Sequence, residues 1–278
     1  MLCLSPRPHA GRGASGNPSG VSVVGAGRMF FAVCALLFVA SATATILICL
    51  AMADMGEVPM AGGWSMSTAW TPLCGGSWPA AAGSFLGMWI AMTLAMMLPS
   101  LAPVLWRCRE AALHSGETRA GLCAALAGLG YLGVWTALGL AVFVGGAALL
   151  EVAMRWPRLA CFMPLLAAVI VIAAGAFQVS ALKGDLLGCC QQIAQRGAGA
   201  LAAMRQGLRL GLACCASCAG LIALLLVGGV MDLPTMAVVT AAITTERLAS
   251  AGERVARACG GVILGMGAVM IVQALWLI

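Results

Sequence analysis

Three cysteines fall within five positions of an uncharged stretch, GLACCASCAG (211–220). Cys214 and Cys218 are four residues apart, so on a helix they share one face, about one turn apart. Cys215 points roughly 100° away from that face. Two soft sulfurs can begin a site for Cu(I) or Zn, which other helices would have to complete. Buried cysteines also serve as small apolar side chains, and spacing alone leaves both interpretations open.

A second set of soft donors lies in GMWIAMTLAMMLPSLAP (87–103). Met88, Met92 and Met96 recur every four residues and form a stripe along one helix face, with Met97 beside it. Thioether sulfurs favour Cu(I) over harder ions. Methionine also fills gaps in apolar cores, so the stripe by itself fits packing equally well.

A methionine-rich segment precedes this stripe, at residues 52–70. Its thioethers and carboxylates are suited to capturing soft cations, and its tryptophans suit a membrane interface. The residues concerned are Met52, Met55, Met60, Met66, Asp54, Glu57, Trp64 and Trp70.

These donors belong to a chain that is 62% apolar and 9% charged, with a mean hydropathy of +1.03. A soluble domain needs roughly a quarter of its residues charged. Runs of about 20 apolar residues recur, which is the length that crosses a bilayer as a helix. With one Tyr and seven Phe, the chain lacks the aromatic girdles of an outer-membrane barrel. We therefore predict an all-α, polytopic membrane helix bundle in the bacterial inner membrane, and no nucleic-acid partner.

Hydropathy predicts about seven transmembrane helices in a domain covering 29–278. The spans are 29–52, 80–106, 121–150, 159–182, 208–231, 233–249 and 258–278, of which the sixth is the shortest. The Gly-, Pro- and Ser-rich residues 1–28 predict a disordered cytoplasmic arm. The loop cations place the N-terminus in the cytoplasm, because only Arg155 and Arg158 of the 15 Lys and Arg fall on the opposite side.

Local signals refine this bundle. Pro99 and Pro103 predict a kink or a broken last turn near the inner end of the second span. Gly261 and Gly265 form a G-x-x-x-G pattern that predicts close helix packing. Asp232 is expected to cap the turn between the fifth and sixth helices.

Depth along the predicted helices brings several donors together. Gln178 and Glu246 lie near the inner ends of the fourth and sixth spans, and Cys214 lies near the inner end of the fifth. Met96 and Met97 lie about ten residues from the inner end of the second span, so all these groups share a zone of about 10 Å. Polar groups at such depth usually face the bundle interior.

Glu246 has a second interpretation. It could form an interfacial cluster with Arg247 and Arg254, whose long side chains reach toward water. The sequence leaves these alternatives open. We expect Cys214 and Cys218 to face the interior, within reach of the second or fourth helix.

Several motifs together resemble a bacterial family of unknown function, described as predicted metal-binding integral membrane proteins. The stretches that carry the resemblance are GGWSMSTAW (62–70), FLGMWIAMTLAMMLPSLAP (85–103), GAFQVSALK (175–183), GLRLGLACCASCAG (207–220), LLLVGGVMDLPTM (224–236) and AAITTERL (241–248). The resemblance implies a helical membrane fold and a metal site. The family's fifth helix reads C-x-x-C-C, which maps onto Cys214, Ser217 and Cys218, so a hydroxyl replaces one thiol.

Three functions follow from these patterns. The first is a membrane protein that binds or moves a soft transition metal, favouring copper, at Cys214, Cys218, Met88, Met92, Met96, Gln178 and Glu246. The outer methionines would capture the ion, the stripe would relay it and the cysteines would receive it. A membrane or periplasmic protein would be the partner.

The second function is a non-catalytic bundle that assembles or stabilises a membrane complex. The third and weakest is a membrane thiol oxidoreductase using Cys214 and Cys218. That chemistry requires a cation beside an accessible thiolate, and the sequence places no cation near the pair. We expect no enzymatic activity.

Overall fold

The computed structural model describes residues 20–53, 57–59, 65–67, 77–156, 158, 161–192, 199–230, 232–249 and 251–277. Within these ranges the chain is a helix bundle with one short hairpin, as the all-α prediction requires. The eight helices are α1 (Gly20–Ala53), α2 (Trp78–His114), α3 (Ala120–Arg155), α4 (Met163–Val179), α5 (Ala181–Gln192), α6 (Ala200–Gly228), α7 (Leu233–Leu248) and α8 (Gly252–Leu277). Strands β1 (Glu57–Pro59) and β2 (Ser65–Ser67) pair antiparallel, with Val58 opposite Met66.

Five helices are long and apolar enough to cross a membrane: Gly25–Met52, Trp78–His114, Ala120–Arg155, Ala200–Gly228 and Gly252–Trp276. A sixth span is possible if α4 and α5 are taken together, although they meet at a bend of 62°. Helix α7 has only 16 residues, short of the about 20 that a span needs. The prediction of about seven spans is therefore corrected to five or six.

Two predicted boundaries also change. Helix α1 begins at Gly20, so residues 20–28, which were predicted to belong to the arm, are helical, while residues 1–19 lie outside the described part. Helix α2 continues through Pro99 and Pro103 to His114, so the predicted broken last turn is wrong, while the predicted kink stays a prediction. Next to the first proline, the Ser100 hydroxyl donates to the Met97 carbonyl at 3.0 Å.

Glycines let two helix pairs approach closely. At Gly207 on α6, a Cβ would collide with the Ala127 carbonyl of α3. At Gly260 and Gly267 on α8, a Cβ would collide with Val179 and Ile172 of α4. Gly261 and Gly265 have nothing within 4 Å, so the G-x-x-x-G prediction chose the wrong face of α8.

The core lies where α2, α3, α6 and α7 meet. Trp89 is buried at its centre, stacks on Phe85 and donates its indole N–H to the Trp135 carbonyl at 2.9 Å. The short α7 is positioned by Asp232, whose carboxylate accepts from the Thr235 N–H at 2.8 Å, as predicted. These contacts help to fix the positions of the four helices that carry the candidate site.

Candidate metal centre

Cys214 and Cys218 lie on the inward face of α6. They are 0% and 2% exposed, whereas Cys215 between them is partly exposed. The helical spacing therefore predicted their common orientation correctly. The two thiols are buried neighbours on this face, so the structure brings two soft donors together in the dry interior.

Each sulfur has a further partner from another helix. The Tyr131 hydroxyl of α3 lies 2.9 Å from Cys214 Sγ, and either group can be the donor. Arg247 Nη2 of α7 lies 3.7 Å from Cys218 Sγ and donates to the Ser217 hydroxyl at 3.2 Å. These two contacts of the sulfurs come from α3 and α7, and the expected reach to the second or fourth helix stays a prediction. The expectation that no cation lies beside the pair is also wrong.

Ser217 connects the pair to the surrounding network. Its hydroxyl donates to the Cys214 carbonyl at 3.0 Å and lies 3.9 Å from Cys218 Sγ, too far for a strong hydrogen bond. Its own carbonyl accepts from Lys183 Nζ. The Ser217 hydroxyl and carbonyl therefore help to order the backbone around the two sulfurs.

A buried polar network adjoins this residue. Lys183 Nζ pairs with Glu246 Oε2 at 2.8 Å, and the Gln178 amide donates to the other carboxylate oxygen of Glu246. All three side chains are at most 2% exposed. The interior position of Glu246 is therefore favoured over the interfacial cluster. Lys183, which the sequence assigned to a cytoplasmic loop, instead lies in the core.

The methionines of the stripe lie in two different environments. Met92 and Met96, with Met97, line a cavity of about 10 Å³, whereas Met88 is buried elsewhere in the core. Two polar atoms at this cavity, Thr93 Oγ1 and Trp135 Nε1, have no hydrogen-bond partner among the described residues. The volume suits about one water-sized particle.

The cavity lies next to the thiols. Its lining residues Ile222, Ile243 and Trp135 are each four positions from a residue of the thiol site, namely Cys218, Arg247 and Tyr131. Four residues are about one helical turn, or roughly 6 Å along the axis. On each of α3, α6 and α7, the residue that lines the cavity therefore lies one turn from the residue of the thiol site, on the same face of that helix.

The donor set around the pair is small. Among the residues that the structure describes, no three His, Cys, Asp or Glu side chains form a group able to hold a metal ion. This excludes a closed His/Cys site of the structural zinc type within those ranges. A soft ion that accepts two thiolates, or a mixture of thiolate and thioether, fits these residues better.

Some residues of the candidate site were not predicted from the sequence. Tyr131 and Lys183 carried a signal, since a lone tyrosine and a lysine next to apolar runs are unusual in a membrane bundle. Arg247 was seen only as an interfacial residue. Of the residues proposed to capture the ion at 52–70, Met52 lies in α1 and packs against the core. The side chains of the others lie outside the described residues, although the backbone of the β-hairpin is described.

Comparison with known proteins identifies a related family. The family model PpoB2, described as copper chaperone, matches residues 86–270, about two thirds of the chain. The match covers both cysteines, the cavity methionines and the buried ion pair. No curated protein and no solved structure matches the chain significantly.

Proposed function

This chain belongs to the PpoB2 family of copper chaperones, and from that premise we propose that it binds Cu(I) at Cys214 and Cys218 inside a membrane. The observation that carries the proposal is the burial of these two neighbouring thiols on the inward face of α6. Thiolate is the ligand type that selects Cu(I), and a dry site protects that ion from water and oxidants.

Loading needs no redox step. Each thiol loses its proton, two Cu–S bonds form, and copper enters and stays as Cu(I). The two protons leave to solvent. Because deprotonation accompanies binding, loading is favoured as the pH rises. The Arg247 guanidinium and the Tyr131 hydroxyl are placed to stabilise the sulfur charge that remains.

The cavity supplies a second set of donors for the ion. Met92, Met96 and Met97 offer neutral thioethers one helical turn from the thiols, and these hold Cu(I) more weakly than thiolates do. An ion can therefore pass between a weaker and a tighter set of donors without entering water. We propose this relay for Met92 and Met96, and leave Met88 as a core residue.

The bundle's place in the bacterial inner membrane is part of the proposal. Five long apolar helices support it, as does the exposure of many large apolar side chains along α1, α3 and α8. A copper-accepting protein at the membrane or in the periplasm would be the partner. In this proposal the protein carries the ion and catalyses no reaction.

One observation favours a thiol oxidoreductase as the second candidate. Arg247 supplies the neighbouring cation that a reactive thiolate requires. Both sulfurs are almost fully buried, however, and thiol exchange requires a partner sulfur to reach one of them. The same burial suits an ion that enters through a narrow path.

The test is copper analysis of the full chain purified in detergent under reducing conditions. Wild type should hold Cu(I) against a competing chelator, and the C214S/C218S variant should lose it. Cys215→Ser is the matched control, because that thiol is adjacent but lies off the inward face. Equal copper in all three proteins, or none in wild type, would reject the proposal and favour a purely structural bundle.

A further inference from the structure

Arg247 stands out among the residues of the thiol site because it brings a full positive charge to a sulfur. Its Nη2 lies 3.7 Å from Cys218 Sγ and 3.2 Å from the Ser217 hydroxyl, which fixes the guanidinium against α6. The nearby Lys183 already pairs with Glu246 at 2.8 Å. The charge that faces the sulfurs most directly is therefore that of Arg247.

The charge of a loaded pair depends on the ion. Two thiolates around a monovalent ion carry one net negative charge, whereas the same two thiolates around a divalent ion carry none. A guanidinium a few ångströms away attracts the first complex and gains nothing from the second. In a buried site with little water, this difference is only weakly screened.

Resting on the proposed function, we infer that Arg247 is a specificity-determining residue that makes the Cys214–Cys218 pair select monovalent soft ions, Cu(I) and Ag(I), over Zn(II) and Cd(II). The number of soft donors acts in the same direction. Ser217 leaves the pair short of the donors that a tetrahedral divalent ion prefers, whereas a monovalent d10 ion accepts two. Charge and donor number thus favour one class of ion.

The other groups around the pair do not reproduce this effect. Tyr131 on α3 is neutral and acts on either complex as a hydrogen-bonding partner. Lys183 on α5 and Glu246 on α7 largely cancel each other's field. Cys259 on α8 lies near that ion pair and is neutral as a thiol. Removal of the Arg247 charge should therefore change selectivity, while loss of a neutral neighbour should weaken all ions alike.

The experiment is competitive binding of Ag(I) and Cd(II), added as ions alone, to the full chain in detergent or nanodiscs. Arg247→Gln should lower Ag(I) affinity by at least about tenfold, since a hydrogen bond to a charged group contributes roughly that much. Its Cd(II) affinity should change little. Arg247→Lys, which keeps the charge, should keep most of the preference for Ag(I).

Arg257→Gln is the matched control. That arginine lies on α8, pairs with Glu253 at 3.5 Å and has a side chain 67% exposed, so its loss should leave both affinities unchanged. If Arg247→Gln does not fold, the Arg247→Lys protein still decides, because a loss of selectivity despite the retained charge would overturn the inference.

Two results separate this inference from the proposed function. Equal effects of Arg247→Gln on Ag(I) and Cd(II), in a protein whose Ag(I) binding still requires both cysteines, would overturn the selectivity role alone. Absence of Ag(I) and Cu(I) binding to wild type would overturn both.

Discussion

Lys183 Nζ lies 2.8 Å from Glu246 Oε2, and both side chains are 1% exposed. The pair joins α5, the helix beyond the 62° bend, to the short α7. Lys183 also donates to the Ser217 carbonyl, so the same ammonium reaches the thiol-bearing helix α6. One buried ion pair thus fixes three elements whose positions the apolar packing alone would leave less defined.

The first prediction concerns this pair. Lys183→Met should destabilise the bundle by about 3 to 5 kcal/mol, because it leaves the Glu246 carboxylate buried without its partner. The double variant K183M/E246Q should be more stable than the sum of the single changes implies, since no unpaired charge remains. The measurement is thermal unfolding in detergent of wild type, K183M, E246Q and K183M/E246Q. Strictly additive effects would show that the two side chains are not energetically coupled.

The second prediction concerns the neighbour of Cys214. Tyr131→Phe keeps the ring and removes only the hydroxyl that lies 2.9 Å from the sulfur. Cu(I) affinity should fall roughly three- to tenfold, since one hydrogen bond to the ligand is lost. Competition with a chelator measures the affinity. Because Tyr131 is the chain's single tyrosine, any tyrosine signal that changes on loading in wild type should be absent from this variant.

The third prediction separates the methionines of the stripe. The M92L/M96L variant keeps the side-chain volume, so its stability should change by less than about 1.5 kcal/mol per site. Copper should still bind to the cysteines, but its release to a chelator should slow if it leaves through the cavity. Met88→Leu is the matched control, because Met88 is equally buried and does not line the cavity. Equal release rates in both variants would count against the relay.

Features that depend on local spacing were predictable from the sequence. The separation of four residues put Cys214 and Cys218 on one inward face and turned Cys215 away, as the structure has them. Asp232 caps α7 because a carboxylate before a helix start accepts from the first free N–H groups. These outcomes need only the geometry of a helix.

Features that depend on which helices meet were not predictable. Ser180 has an extended backbone, with ψ of 153°, and separates α4 from α5. Hydropathy does not detect this bend, so the predicted span ended at residue 182 and Lys183 was assigned to the loop that follows. Gly261 and Gly265 match a packing motif, yet α4 contacts the face of α8 that carries Gly260 and Gly267. The approach of Tyr131 and Arg247 to the sulfurs likewise requires the relative positions of α3, α6 and α7. Hydropathy and motifs do not contain that information.

The last prediction tests the close contact that positions the site. Helices α3 and α6 carry Tyr131 and Cys214, and they approach where Gly207 faces the Ala127 carbonyl. In Gly207→Ala the added methyl group meets backbone, which cannot rotate away, so the two helices must separate. The bundle should lose about 1 to 3 kcal/mol of stability, as overpacked cores do.

The same separation should lengthen the contact between the Tyr131 hydroxyl and Cys214 Sγ, so Gly207→Ala should also weaken Cu(I) binding although residue 207 offers no ligand. Gly261→Ala is the matched control, because nothing lies within 4 Å of its added methyl group. That change should leave copper binding intact and stabilise the helix by roughly 0.5 to 1 kcal/mol, the usual gain of alanine over glycine. Thermal unfolding and chelator competition on both variants measure the two effects. If Gly207→Ala unfolds earlier but binds copper as tightly as wild type, the α3–α6 contact stabilises the bundle without shaping the metal site.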